Sequence, residues 1–206
     1  LLLMLVMSEP KHVERRMAIR DTWGSSSSMH VRTSTTHETH SMPLAFLLGD
    51  STEHTAQMDV AAEHNIYADI VQGTFLDSST NLTLKTVAAF QWAKTFCSKA
   101  AFVMVATDEV LVDTYKLAPF LQVQRSHESF VLCHLVPCCK PVNLPSSPSD
   151  SMYAGKAYPA HCSGHAFVLP SSLISRMHSA SLHTPLFTPH QVFVGVLAEK
   201  LGVPLH

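Results

Sequence analysis

The sequence has little charge, little glycine and no long apolar run. Only 15% of its 206 residues are charged and only seven are glycine, whereas 46% are hydrophobic. This composition excludes a collagen-like chain and a disordered tail. No segment reaches the roughly 18–20 consecutive apolar residues that cross a bilayer. At about 150 residues per domain, the length predicts one domain over residues 1–206.

The chain also lacks an excess of basic residues. Its net charge is −2 and its isoelectric point is near 6.7. A partner such as duplex nucleic acid usually requires a basic face, so we expect no nucleic-acid partner. Neither a G-x-G-x-x-G motif nor a phosphate-binding loop occurs, which argues against dinucleotide and ATP sites. The chain also does not begin with methionine, which suggests a fragment of a longer protein.

Five cysteines are present, so at least one is unpaired or pairs outside the chain. None of them shows the C-x2-C spacing of a structural zinc site, and disulfides are the better interpretation in an oxidising compartment. The candidates are Cys97, Cys133, Cys138, Cys139 and Cys162. The tripeptide Asn81-Leu82-Thr83 is a glycosylation sequon, with Asn81 as the acceptor in a secretory lumen.

Apolar strands alternate with helical segments along the chain. Strands are predicted at residues 1–7, 43–49, 66–71, 100–105, 129–136 and 166–169. Helices are predicted at residues 14–22, 53–64, 81–94 and 116–122, from residue 170, and at 192–201. Loops are expected at residues 25–42 and 137–151. This alternation predicts an α/β domain with a mostly parallel central sheet flanked by helices.

Two acidic residues, Asp108 and Glu109, follow the predicted strand at residues 100–105. Ligands of open parallel sheets bind beyond the carboxyl ends of the strands. The acidic pair therefore lies where a binding site is expected.

Motifs in a fixed order over nearly the whole chain resemble those of the β-1,3-galactosyltransferase and β-1,3-N-acetylglucosaminyltransferase family. They are R-x-x-I-R-x-T-W-G at residues 16–24, F-L-L-G at 46–49, Glu63 with Y-x-D-I at 67–70, F-x-D-S at 75–78, N-L-T-L-K-T at 81–86, Y-P followed by C-S-G at 158–164, V-F-x-G at 192–195 and K-L-G at 200–202.

The resemblance implies a GT-A fold that uses a UDP-sugar and Mn²⁺. It implies transfer of galactose or N-acetylglucosamine, with inversion, to form a β-1,3 linkage on a glycoprotein or glycolipid. It also implies a type II Golgi membrane protein with a lumenal domain, whose anchor and stem would precede the first residue. Arg20 and Lys85 are then expected near the donor diphosphate, where Arg20 could instead form a structural ion pair.

The acidic motif departs from the family, which carries Asp-Asp-Asp after its central strand. Here the triplet is Thr107-Asp108-Glu109. Manganese prefers carboxylate ligands, so the loss of the first carboxylate weakens the expected site. Thr107 and Asp108 are assigned to the donor, and Glu109 is either a metal ligand or a surface acid.

The second departure concerns the general base. The family reads Glu-Asp-Val before V-F-x-G, and its Asp takes the proton of the acceptor hydroxyl. Here the triplet is His190-Gln191-Val192, and an amide cannot take that proton. His190 is a possible substitute base because its reference pKa of about 6.5 suits the role.

Two hypotheses follow. The first is a β-1,3-hexosyltransferase of the Golgi that acts in protein glycosylation. The second is a catalytically inactive family member that binds a glycan, a nucleotide or a partner protein. The altered residues Thr107 and Gln191 put activity in question, because function has to be argued from the site and not from the fold.

Overall fold

The structure is a computed structural model that describes residues 2–28, 30–32, 37–39, 42–124, 129–138, 140–141, 153 and 157–206. Its strands are β1 Leu2–Met7, β2 His30–Arg32, β3 His37–Thr39, β4 Leu44–Asp50, β5 Ile70–Leu76, β6 Phe102–Thr107, β7 Leu132–Val136, β8 Lys140–Pro141, β9 Ala157–Tyr158 and β10 His161–Pro170. Its α-helices are α1 Val13–Asp21, α2 His54–Tyr67, α3 Leu82–Phe96, α4 Thr114–Val123, α5 Ser171–Leu182 and α6 His190–Lys200. Short 3₁₀ helices occupy Trp23–Ser28 and Ser79–Asn81.

The central sheet has six strands in the order β5–β4–β1–β6–β10–β7. The first four are parallel to one another, whereas β10 runs antiparallel to both β6 and β7. The predicted α/β class with a mostly parallel central sheet is confirmed. The carboxyl ends of β1, β4, β5 and β6 therefore meet at one edge of the sheet, here called the carboxyl edge.

Strand β1 is buried on both faces because every one of its side chains is apolar. Side chains alternate across a strand, so Leu3, Leu5 and Met7 face one core and Leu2, Met4 and Val6 face the other. Helices α3, α5 and α6 cover the first face, and α1, α2 and α4 cover the second. The result is a three-layer α/β/α arrangement, which is typical of parallel sheets.

One predicted strand begins too early. Ile66 and Tyr67 belong to the last turn of α2, which ends at Ala68 in the left-handed conformation (φ 54°). Strand β5 then starts at Ile70 and continues to Leu76. Two residues of an apolar run do not distinguish the end of a helix from the start of a strand, so the local sequence does not locate this boundary.

The expected loop at residues 25–42 contains the hairpin β2–β3 and part of a 3₁₀ helix. Its remaining residues, and most of the expected loop at residues 137–151, lie outside the described residues.

A disulfide joins Cys133 on β7 to Cys162 on β10. Cys97, one of the five disulfide candidates, carries a free thiol. Cys97 follows α3 and lines a cavity between α3 and α5, where burial raises the pKa of its thiol. Cys138 is exposed and Cys139 lies outside the described residues.

Within the described parts of the chain, no helix has the length and apolar character that spanning a bilayer requires.

Candidate functional site

Asp108 and Glu109 lie directly after β6 at the carboxyl edge. The backbone N–H of Asp108 donates to the carbonyl of Met7 at 3.1 Å, which joins this turn to the end of β1. The carboxylate of Asp108 is almost enclosed, with 6% of its side chain exposed, whereas Glu109 is half exposed. The structure therefore places the acidic pair at the end of a strand, as the sequence predicts.

Asp108 is held by groups that follow β1. Ser8 donates its hydroxyl to Oδ2 of Asp108 at 2.7 Å, and His12 Nδ1 lies 2.8 Å from the same oxygen. Arg15 on α1 donates to Oδ1 at 3.1 Å. Burial alone would raise the pKa of Asp108, but the bonds from Ser8, His12 and Arg15 outweigh it and lower that pKa. Asp108 is therefore an anion at neutral pH.

Glu109 shares the same guanidinium. Arg15 donates to its Oε1 at 3.0 Å, and His165 Nδ1 lies 3.7 Å from Oε2. Bonds to Glu109 and then to Asp108 raise the pKa of Arg15. The acidic pair is thus already partnered by a cation of the protein itself.

His190 begins α6 and is buried. Its burial, and then the charge of nearby His165, lower the pKa of His190 to about 4. His165 therefore acts electrostatically on His190 and lies 3.7 Å from Glu109. Gln191, at the predicted base position, is half-buried in the first turn of the same helix.

Lys85 lies inside the carboxyl edge and is 2% exposed. Its ammonium donates to both carboxylate oxygens of Asp77 at 2.7 Å and to the carbonyl of Ser8 at 2.8 Å. Asp77 also accepts from the backbone N–H of Gly49 at 2.7 Å. An ammonium has three N–H donors, and all three have partners here. Lys85 therefore fixes the ends of β1, β4 and β5 and has no donor left for a phosphate.

Arg16 was not singled out from the sequence, yet it is fully buried beneath the site. Its guanidinium donates to both carboxylate oxygens of Glu63, at 2.9 and 2.7 Å, and to the hydroxyl of Ser8 at 3.0 Å. A chain of bonds thus runs from Glu63 through Arg16 and Ser8 to Asp108. In the sequence, the R-x-x-I-R motif and the motif that contains Glu63 were the features that could have indicated this ion pair.

Arg20 lies elsewhere. It forms a bidentate pair with Asp69 at 2.8 Å and contacts Glu63 at 2.7 Å, while its guanidinium stacks 4.0 Å from the ring centre of Tyr67. Asp69 precedes β5, at the amino end of the parallel strands. The structure does not bring Arg20 to the acidic pair, and the alternative of a structural ion pair is what it shows.

Thr107 and Asn81 are the remaining residues that the sequence singled out for the site and for glycosylation. The hydroxyl of Thr107 is buried and has no hydrogen-bond partner among the described residues. Asn81 donates its side-chain amide to the carbonyl of Leu76 at 2.8 Å, while the Thr83 hydroxyl of the same sequon is buried against the carbonyl of Phe187. Glycosylation of Asn81 stays a prediction.

The residues in place do not fit the manganese ion that the resemblance implies. Both oxygens of Asp108 are already bonded, Oε1 of Glu109 accepts from Arg15, and position 107 supplies a hydroxyl instead of a carboxylate. In the described parts of the chain, no three His, Cys, Asp or Glu side chains are grouped so that they could hold a metal. A divalent ion would have to displace Arg15 first.

A groove of about 630 Å³ borders this site. Apolar side chains after Glu109 and on α4 form one wall, and the middle parts of β7 and β10 form the other. Its lining includes Leu111, Phe120, His134, Ser163 and His165. Because His165 lies both in the groove and 3.7 Å from Oε2 of Glu109, the groove lies next to the acidic pair. The cavity beside Cys97, of about 310 Å³, lies near the amino ends of the strands and is not part of the site.

The galactosyltransferase family model matches residues 14–206. The chain belongs to the galactosyltransferase family. This membership confirms the resemblance and agrees with the mixed sheet and its flanking helices.

Three curated proteins illustrate how similar this galactosyltransferase-family chain is to its relatives. Human β-1,3-galactosyltransferase 9 is 34% identical over 100% of this chain and 55% of its own length. β-1,3-Galactosyltransferase 5 of Pan paniscus is 32% identical over 99% of this chain and 66% of its own length. The acetylgalactosaminyl-O-glycosyl-glycoprotein β-1,3-N-acetylglucosaminyltransferase of Mus musculus is 31% identical over 98% and 52%. The chain thus spans between half and two thirds of these relatives.

Proposed function

We propose that this chain is the sugar-transfer domain of a β-1,3-hexosyltransferase. It transfers galactose or N-acetylglucosamine from a UDP-sugar to a glycan on a glycoprotein or glycolipid, as part of protein glycosylation. Placement in the Golgi lumen, on a type II membrane anchor, belongs to the same proposal. The observation that carries it is family membership over residues 14–206, with relatives named for β-1,3 transfer of either sugar.

The donor and acceptor are assigned to neighbouring parts of the carboxyl edge. The diphosphate of the donor lies beside Asp108 and Glu109, where Arg15 supplies positive charge. The acceptor enters the groove that His165 shares with this pair. An acceptor hydroxyl then attacks the anomeric carbon, the bond to UDP breaks, and a base takes the hydroxyl proton.

The base is the weak part of this mechanism. Gln191 has no basic atom that could take the proton. His190 is neutral at pH 7 because its pKa is about 4, but a low pKa also makes it a weak base, and it is 5% exposed. We therefore expect slow transfer by the natural sequence.

A second candidate function is favoured by the same residues. If neither Gln191 nor His190 takes the proton, the chain is a catalytically inactive member that binds a glycan, a nucleotide or a partner protein. The fold alone does not separate the two functions, since an inactive member keeps the same fold.

Turnover of UDP-galactose and UDP-N-acetylglucosamine separates the two. We expect Gln191→Asp to increase turnover by about 10²-fold or more, the usual effect of a general base. Gln191→Asn, which has the size of Asp without its charge, is the matched control and should give no increase. Turnover seen only in Gln191→Asp supports the binding function for the natural sequence. Fast turnover that Gln191→Asp leaves unchanged contradicts this assignment of the base position.

A further inference from the structure

Arg15 lies between the two carboxylates of the acidic pair. A single nitrogen, Nη1, donates to Oδ1 of Asp108 at 3.1 Å and to Oε1 of Glu109 at 3.0 Å. These are charge-assisted bonds of a guanidinium, the cation best matched to carboxylates. The guanidinium therefore occupies the position from which a divalent cation would contact both residues.

The bonds already formed at this position argue against an added metal ion. Two carboxylates and one guanidinium carry a net charge of −1, and Asp108 is further engaged by Ser8 and His12. A divalent cation bound here would either break these bonds or lie against the guanidinium. Two cations in close, partly buried contact repel each other strongly.

Arg15 also has N–H donors that make no hydrogen bond to the described residues. Its side chain is 43% exposed, and among the described residues its hydrogen bonds come from Nη1 alone. A guanidinium has five N–H donors, so those on Nε and Nη2 can contact a phosphate while Nη1 keeps the carboxylates. Such planar, two-sided bonding is a common mode of phosphate recognition.

We propose that Arg15 takes the place of a divalent cation at the acidic pair, so that a nucleoside diphosphate binds at this edge without metal. The identity of the ligand as a UDP compound rests on the proposed function, whereas the replacement of the metal by Arg15 does not.

The first experiment uses Mn²⁺ alone as the probe. Loss of the electron paramagnetic resonance signal of free Mn²⁺ measures binding to the natural chain and to Arg15→Met. We expect Arg15→Met to bind Mn²⁺ about tenfold more tightly or better, because one like charge is removed. Adding Asp108→Asn to that variant should abolish the gain. Lys11→Met is the control, since Lys11 is an exposed cation on the same segment that pairs with Glu9.

Equal Mn²⁺ affinity of the natural chain and Arg15→Met overturns the proposal, whatever the protein does with nucleotides. So does a gain in Arg15→Met that Asp108→Asn leaves intact, because the acidic pair would then not be the metal site.

The second experiment measures UDP binding by calorimetry, with EDTA or with Mn²⁺. The expected dissociation constants agree within about threefold in the two conditions, and Arg15→Met weakens binding in EDTA by about tenfold. Binding that appears only with Mn²⁺ overturns the proposal and leaves a UDP-dependent function standing. Failure of UDP to bind in either condition instead contradicts the proposed function, and the Mn²⁺ titration still decides the role of Arg15.

Discussion

Arg15 and Arg16 are neighbours in the sequence with opposite environments. Arg16 is fully buried and bonded to Glu63 and Ser8, whereas Arg15 is partly exposed and bonded to the acidic pair. The side chains of consecutive helical residues point about 100° apart, so one turns to the core and the other to the carboxyl edge. The same residue type therefore has a structural role at one position and a site role at the next.

This contrast predicts different effects on stability. Arg16→Met leaves the buried carboxylate of Glu63 with fewer donors, so we expect it to lower the free energy of unfolding by roughly 3–5 kcal/mol. Arg15→Met, the adjacent control, should lower it far less, because the ion pairs of Arg15 are exposed to solvent. Urea unfolding at pH 7 measures both. Arg16→Lys keeps the charge without the fork and should fall between them, and equal effects of the two methionine variants would contradict the burial argument.

At the residue scale, the sequence predicted the acidic pair but not its partners. Asp108 and Glu109 could be found because they follow an apolar run. Arg15 could not, because its bond to Asp108 joins residues 93 positions apart. Lys85 was expected at a phosphate, but its three bonds depend on how β1, β4 and β5 end beside one another. Only the assembled sheet decides which charges are left for a ligand.

Gly195 shows why one element contains a residue that helices usually avoid. It lies inside α6, where helix α6 packs closely on the segment that leads into β10. A Cβ built at this position would lie 2.5 Å from the carbonyl oxygen of Ala160 and 2.8 Å from Cβ of His161. The glycine of the V-F-x-G motif is therefore explained by a close approach of helix and backbone.

We expect Gly195→Ala to destabilise the protein by roughly 1–3 kcal/mol through overpacking. Helix propensity alone predicts the opposite sign, a gain of about 1 kcal/mol. Ser179→Ala, at an exposed position of α5, is the control and should stay within about 0.5 kcal/mol of the natural chain. Thermal unfolding followed by circular dichroism measures the three proteins, and a stabilised Gly195→Ala would rule out the close approach.

Element boundaries were predictable where side-chain patterns are local. The continuous apolar run of β1 and the spacing of apolar residues in α3 predicted both within a few residues. Strand β10 was predicted only at residues 166–169, yet it begins at His161. Its first half has Ser, Gly and His instead of an apolar pattern. Pairing with β7 and the Cys133–Cys162 disulfide hold it in the sheet, and neither can be inferred from local sequence.

At the scale of the whole molecule, the charged residues of the family motifs mostly pair with one another. Arg16 pairs with Glu63, Arg20 with Asp69 and Lys85 with Asp77. These pairs connect α1, α2, α3 and the strand ends into one framework below the site. The charged motif residues thus stabilise the fold, while the effect of Thr107 and Gln191 on the chemistry stays a prediction.

The buried His190 gives the molecule a predictable response to acid. Its pKa is about 4 in the folded chain and about 6.5 in the unfolded chain, so only the unfolded chain binds a proton between these values. The contribution of neutral His190 to the free energy of unfolding is therefore fully present above about pH 6.5. It decreases by about 3 kcal/mol as the pH is lowered toward 4. Glu63 and Asp108, whose pKa values are also lowered, add to the loss only at lower pH, below about 4.

The test compares urea unfolding of the natural chain and His190→Gln at several pH values between 7 and 4.5. The natural chain should lose stability more steeply, because the variant has no titrating group at this position. His64→Gln, at an exposed position of α2, is the control and should keep the natural slope. The slope is the decisive quantity, since the substitution itself can lower stability equally at every pH. Parallel curves for the natural chain and His190→Gln would mean that His190 is not held neutral by its burial beside His165.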